Sequence, residues 1–171
     1  MTRRLCLCAL FTALIAVCAQ IVIPIPMVPI SLALFAVHLT GALLGPKYGS
    51  AVCVAYAVLG CCGLPVFANF MGGPGVLFGK TGGYVLGYIF CALIVGLVAR
   101  RCQGYLQLCG GMALGVVACY LFGTVWFLVV TGLPLSVALG YCVLPFLPGD
   151  AAKIALAALL AKKLRPHLKW S

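Results

Sequence analysis

Residues 106–130 read LQLCGGMALGVVACYLFGTVWFLVV, 25 consecutive positions without a charged side chain. A helix needs about 20 apolar residues to cross the hydrocarbon core of a bilayer, so this run reads as a membrane span. Working outward, with breaks at charges and Pro/Gly clusters, the pattern recurs along the whole chain. A first run covers 5–23 and stops at Pro24, Pro26 and Pro29. A second covers 31–44 and ends at Gly45-Pro46-Lys47; a third covers 48–62 and ends at Gly63-Leu64-Pro65. The fourth, 82–99, is closed by Arg100 and Arg101, and a sixth, 149–161, runs into a basic tail. The expected fold is an all-α integral membrane protein with six transmembrane helices, residues 1–171 forming one membrane domain.

Composition excludes most alternatives. The chain has 171 residues, is 65% hydrophobic and only 7% charged, and its mean hydropathy is +1.27. Soluble domains are about 45–50% apolar and about 25% charged, so a soluble enzyme is excluded. A disordered basic tail is excluded because such tails lack aromatic and β-branched residues. Eleven Lys and Arg face a single acid, Asp150, but the cations are scattered rather than gathered on one nucleic-acid-binding face. The 11 cysteines are an odd number, sit mostly inside apolar runs and form no CxxC pair; they read as small hydrophobes. The amino terminus has the look of a signal peptide, but no soluble domain follows it, so it reads as a first membrane helix.

Six spans place both termini on one side. Arg3, Arg4, Lys47, Arg100, Arg101, Lys162, Lys163, Arg165 and Lys169, nine of the eleven cations, then share that side, which the positive-inside rule makes cytoplasmic. The expected location is the cytoplasmic (inner) membrane, multi-pass. The outward loops, 24–30, 64–81 and 131–148, are the longer ones, and long loops in a compact body serve as lids or binding segments.

Few side chains are left to carry chemistry. Asp150 and Lys153 are three residues apart and share one helix face. Ionisable groups inside a span are costly and usually functional. They form either an internal ion pair that fixes the sixth helix or a polar site for a small molecule with N–H donors and an anionic group. The stretch 63–74 mixes Phe67, Phe70 and Met71 with the amide of Asn69, the make-up of a lid over a mostly apolar ligand, or of a loop packed on its own helix ends. Gly79-Lys80-Thr81 suggests a phosphate-binding loop, but position 74, where that motif needs Gly, is Pro. The pairs Gly41/Gly45, Gly83/Gly87 and Gly111/Gly115 let helices approach closely, and Ala9/Ala13 form a similar patch. His38 reads as a packed, neutral side chain with one hydrogen bond, and His167 as a solvated tail residue. Trp126, Tyr84, Tyr88 and Tyr141 suit cavity walls or interfacial belts, Tyr141 the latter. No metal cluster, catalytic triad or carboxylate pair can be assembled, and no cofactor is expected.

The run GLPVFANFMGGPGVLFGKTGGYVLGY (63–88), together with PGDAAK (148–153), resembles the BioY family. These are the substrate-capture (S) components of biotin transporters of the energy-coupling-factor type. PIPMVPIS (24–31) and GALLGPKYG (41–49) extend the likeness along nearly the whole chain. The resemblance implies a non-enzymatic, six-helix protein that binds biotin near the outer surface. Its partners would be a transmembrane coupling protein and two cytoplasmic ATPases, with membrane lipid around it. Matched by motif, Asn69, Asp150 and Lys153 are the implied polar binding residues, with Phe67, Phe70 and Tyr84 as apolar ones and Ala9 and Ala13 as the docking patch. One departure is Lys80, where the family commonly has Pro; a cation there favours an anionic vitamin. The competing expectations are an S component for another vitamin, an intramembrane enzyme built on a Cys thiol and His38, and an ion channel, which the lack of an acid ring disfavours.

Overall fold

The computed structural model describes residues 2–23, 30–102, 104–143 and 145–166. Its elements follow the apolar runs: α1 (Thr2–Gln20), α2 (Ala33–Cys61), α3 (Pro74–Leu77), α4 (Gly82–Arg101), α5 (Tyr105–Thr131), α6 (Leu135–Cys142) and α7 (Leu147–Leu164). The only strands among the described residues are β1 (Val22–Ile23) and β2 (Ile30–Ser31), an antiparallel pair with Val22 opposite Ser31. Among the described residues four helices, α1, α2, α4 and α5, are long and apolar enough to cross a membrane. They are apolar on their outer faces as well: Leu114, Leu121, Val125 and Val129 of α5 are all exposed. A helix hydrophobic on every side belongs in a core or in lipid.

The second and third apolar runs are joined as α2, but the helix breaks at Gly45, whose φ of 76° and ψ of 179° are non-helical. Residues eight apart in an unbroken helix stand about 12 Å apart along its axis. Here a methyl group on Gly49 would lie 3.1 Å from the Cα of Gly41. The chain therefore reverses at Gly45-Pro46, and α2 is two arms folded on each other. The loops expected at 64–81 and 131–148 contain helical turns of their own, α3 and α6. The last helix begins earlier and ends later than its apolar core suggested.

α2 packs against α1, α4 and α7, and α5 packs against α4, α6 and α7. Small residues set these approaches. A methyl group at Gly41 would meet the Ala92 carbonyl oxygen of α4 at 2.7 Å, and one at Gly115 the Cys91 sulfur at 2.9 Å. Gly96 of α4 abuts the backbone of Gly45 and Pro46. No disulfide forms among the described cysteines.

Three arginines tie one end of the bundle. Arg4 at the start of α1 donates to the Tyr48 hydroxyl at 3.2 Å and lies over its ring. The Arg100 guanidinium lies beside Gly45. Arg165, just past α7, donates to the carbonyls of Ala99 and Cys102 at the end of α4, where a cation also meets the negative end of the helix dipole. The opposite end of the bundle holds the cavity.

Candidate functional site: a cavity with one ion pair

α7 starts just after Pro145 and carries Pro148 and Asp150 in its first turn, where the helix dipole favours a carboxylate. Asp150 is 3% exposed and Lys153, one turn on, 8%. The Lys153 ammonium donates to Asp150 Oδ1 at 2.8 Å and to the Ser31 carbonyl oxygen at 2.8 Å. Tyr120 of α5 donates its hydroxyl to Asp150 Oδ2 at 2.5 Å. Three elements thus converge on one ion pair. The site keeps capacity for a ligand: each Asp150 oxygen can accept again, and one of the three ammonium donors is unused.

These groups are part of the lining of a cavity whose empty space, open solvent at its mouth included, is about 720 Å³. The rest of the wall is mostly aromatic and apolar, with Thr81 as a polar member. Tyr84 and Phe146 stack with ring centroids 6.5 Å apart, and Tyr120 meets Phe146 edge-on at 6.4 Å. Elsewhere in the wall Phe67 and Tyr56 meet edge-on at 5.5 Å, and the Tyr56 hydroxyl donates to the Val66 carbonyl oxygen at 3.0 Å. The Phe67 ring lies directly on Gly60, where any side chain would displace it. Likewise the Tyr84 ring lies against Gly123.

Of the residues singled out in the sequence, Phe67, Met71, Tyr84, Tyr88, Asp150 and Lys153 line this one cavity. Asn69 and Phe70 do not. They form a left-handed turn beside it, with φ of 59° and 56°, and Phe70 is exposed. Ala9 and Ala13 lie on the exposed face of α1, away from the cavity. Tyr88 is a wall residue, whereas Trp126 donates to the Gly79 carbonyl oxygen at 3.0 Å. Lys80 is exposed and stands outside the wall beside Thr81, which is part of it. Among the described residues no strand leads into Gly79-Lys80-Thr81, so the phosphate-loop reading fails on structure as well as on spacing. Residues 24–29, His167 and Lys169 lie outside the described residues, as does the side chain of Tyr141.

His38 is fully buried, with Nδ1 3.6 Å from the Cys91 sulfur. Neither residue lines the cavity, so this thiol and imidazole have no route to a ligand held there. Sequence reasoning missed Tyr120, Tyr56 and Phe146. Tyr120 carried a usable signal: it is the one tyrosine inside the uncharged 106–130 run. A buried tyrosine hydroxyl needs a partner, and the chain offers a single carboxylate.

The family model described as "BioY family" matches residues 1–170. The chain is 41% identical over 166 residues to the biotin transporter BioY of Thermotoga maritima, covering 95% of this chain and 96% of that one. It is 33% identical to the biotin transporter BioY of Rhodobacter capsulatus, covering 98% and 95%. A crystal structure of the S-component for biotin from an ECF-type ABC transporter superposes with a TM-score of 0.89 at 30% identity, over 96% of this chain and 92% of that one. With matches that run the length of both partners, the chain belongs to the BioY family.

Proposed function

We propose that this protein captures biotin at the outer face of the cytoplasmic membrane, as the S component of an energy-coupling-factor transporter. The observation that carries the reading is the cavity: a mostly aromatic, apolar wall with a single buried ion pair in it. Biotin has the same division. Its thioether ring and chain are apolar, its ureido group offers two N–H donors and one carbonyl, and its carboxylate is anionic. Asp150 accepts from a ureido N–H, and Lys153 has a donor free for the carboxylate or the ureido oxygen. Phe67 and Tyr84 pack on the apolar body. Asn69 and Phe70 act from the rim, on the turn that also carries Phe67.

The chain crosses the membrane six times in this reading, through α1, the two arms of α2, α4, α5 and α7, with both termini cytoplasmic. The Gly45 reversal and the three arginine ties at the end opposite the cavity support it. Ala9 and Ala13 face outward on α1 and are the proposed contact for the transmembrane coupling protein, which works with two cytoplasmic ATPases.

Equilibrium binding of biotin to the purified protein tests capture apart from transport, since no partner is needed. Saturable one-to-one binding is expected; its absence in folded protein overturns the reading. Biotin methyl ester places Lys153: affinity at least tenfold below that of biotin assigns the ammonium to the carboxylate, and equal affinity assigns it to the ureido end.

A further inference from the structure

Gln20 is the last residue of α1, and it does not touch the cavity. Its carboxamide nevertheless holds the turn that closes one side of it. Nε2 donates to the Phe67 carbonyl oxygen at 3.1 Å and reaches that of Pro65 at 3.4 Å, while Oε1 accepts the Phe70 N–H at 2.9 Å. Nε2 also lies 3.3 Å from the Ala16 carbonyl oxygen of its own helix. The orientation of the amide follows from its partners, because carbonyls only accept and a backbone N–H only donates.

The turn so held is strained. Asn69 and Phe70 are consecutive left-handed residues. Asparagine tolerates this conformation, but for most residues it costs about 1–2 kcal/mol. The Phe70 side chain is 72% exposed, so packing offsets little of that strain. Within the turn, Phe67 N–H donates to the Met71 carbonyl oxygen at 3.0 Å and Met71 N–H to that of Ala68 at 3.4 Å. Phe67, Ala68 and Met71 all line the cavity. One amide on α1 therefore fixes the backbone that places three wall residues.

We propose that Gln20 is a positioning residue for ligand retention: it clasps the 65–70 turn so that Phe67 stays closed over the cavity, and loss of the clasp lets bound ligand escape. The inference rests on the cavity being the biotin site. It assigns Gln20 to the dissociation step, because the clasp holds a closed wall and makes no contact with the ligand.

The test uses the full chain with Gln20→Ala and Gln20→Glu. The glutamate keeps an acceptor for the Phe70 N–H but sets a carboxylate oxygen against the Phe67 carbonyl. Two readouts are taken: biotin association and dissociation rates, and hydrogen exchange of the backbone amides in 65–72 without ligand. Both variants should release biotin at least tenfold faster, with association rates within about threefold of the parent, and should exchange faster across 65–72. Unchanged dissociation, or a loss confined to association, overturns the proposal. If the parent chain binds no biotin, the functional reading fails on its own, and the exchange measurement still decides the clasp: unaltered protection of 65–72 in whichever variant folds overturns it.

Discussion

Asp150 is the residue on which the site turns, because both of its oxygens are already engaged before any ligand arrives. Breaking a buried ion pair by removing one partner costs about 3–5 kcal/mol, since the other charge is left stranded, whereas removing both charges is often neutral. That asymmetry separates structure from binding. Asp150→Asn and Lys153→Met should each lower the melting temperature and weaken biotin binding at least tenfold, about 1.4 kcal/mol. The double variant should recover most of the melting temperature but none of the affinity; tight binding by it would show the pair to be purely structural. Asp150 and Lys153 were legible in the sequence because they are ionisable groups in an otherwise apolar segment. The turn conformation of Asn69 and Phe70 was not, because a left-handed non-glycine pair is imposed by partners such as Gln20, 50 residues before Phe70.

At the scale of elements, Pro/Gly clusters marked where helices end, whereas charges did not: α4 runs on through Arg100 and Arg101, and α7 through Lys162 and Lys163. α5 shows the rule: Gly132 closes it with φ of 66°, donating to the Leu128 carbonyl oxygen, and Pro134 follows. α6 was missed because the apolar residues of 135–142 follow a loop-like Gly-Leu-Pro and are too few to show a helical period. Gly45 is the decisive joint. Its combination of φ and ψ is one that essentially only glycine adopts, at about 1–3 kcal/mol for other residues, and the Arg100 guanidinium stands against it. Gly45→Ala should therefore lower thermal stability in detergent by that amount. Gly110→Ala, on an exposed helical position with open space around it, should be neutral or slightly stabilising. Equal effects of the two substitutions would mean that the reversal at Gly45 does not hold the arms together.

For the molecule as a whole, counting charges along the sequence groups nine cations at one face, and three of them, Arg4, Arg100 and Arg165, do meet at one end of the bundle. The glycine pairs announced close approaches, but which helix receives which is a property of the assembled bundle, not of any one segment. The internal ion pair has an electrical consequence. Asp150 and Lys153 cancel, so the empty cavity carries no net charge and a bound carboxylate makes it negative by one. Moving one charge through the whole membrane field takes about 2.3 kcal/mol per 100 mV, and an inside-negative potential opposes an inward-moving anion. In proteoliposomes containing the complete transporter, biotin uptake should slow as the interior is made more negative, while a neutral biotin amide, where it is carried, should be indifferent to voltage. The ion pair adds no net charge of its own, so the difference between biotin and its amide isolates the charge of the ligand.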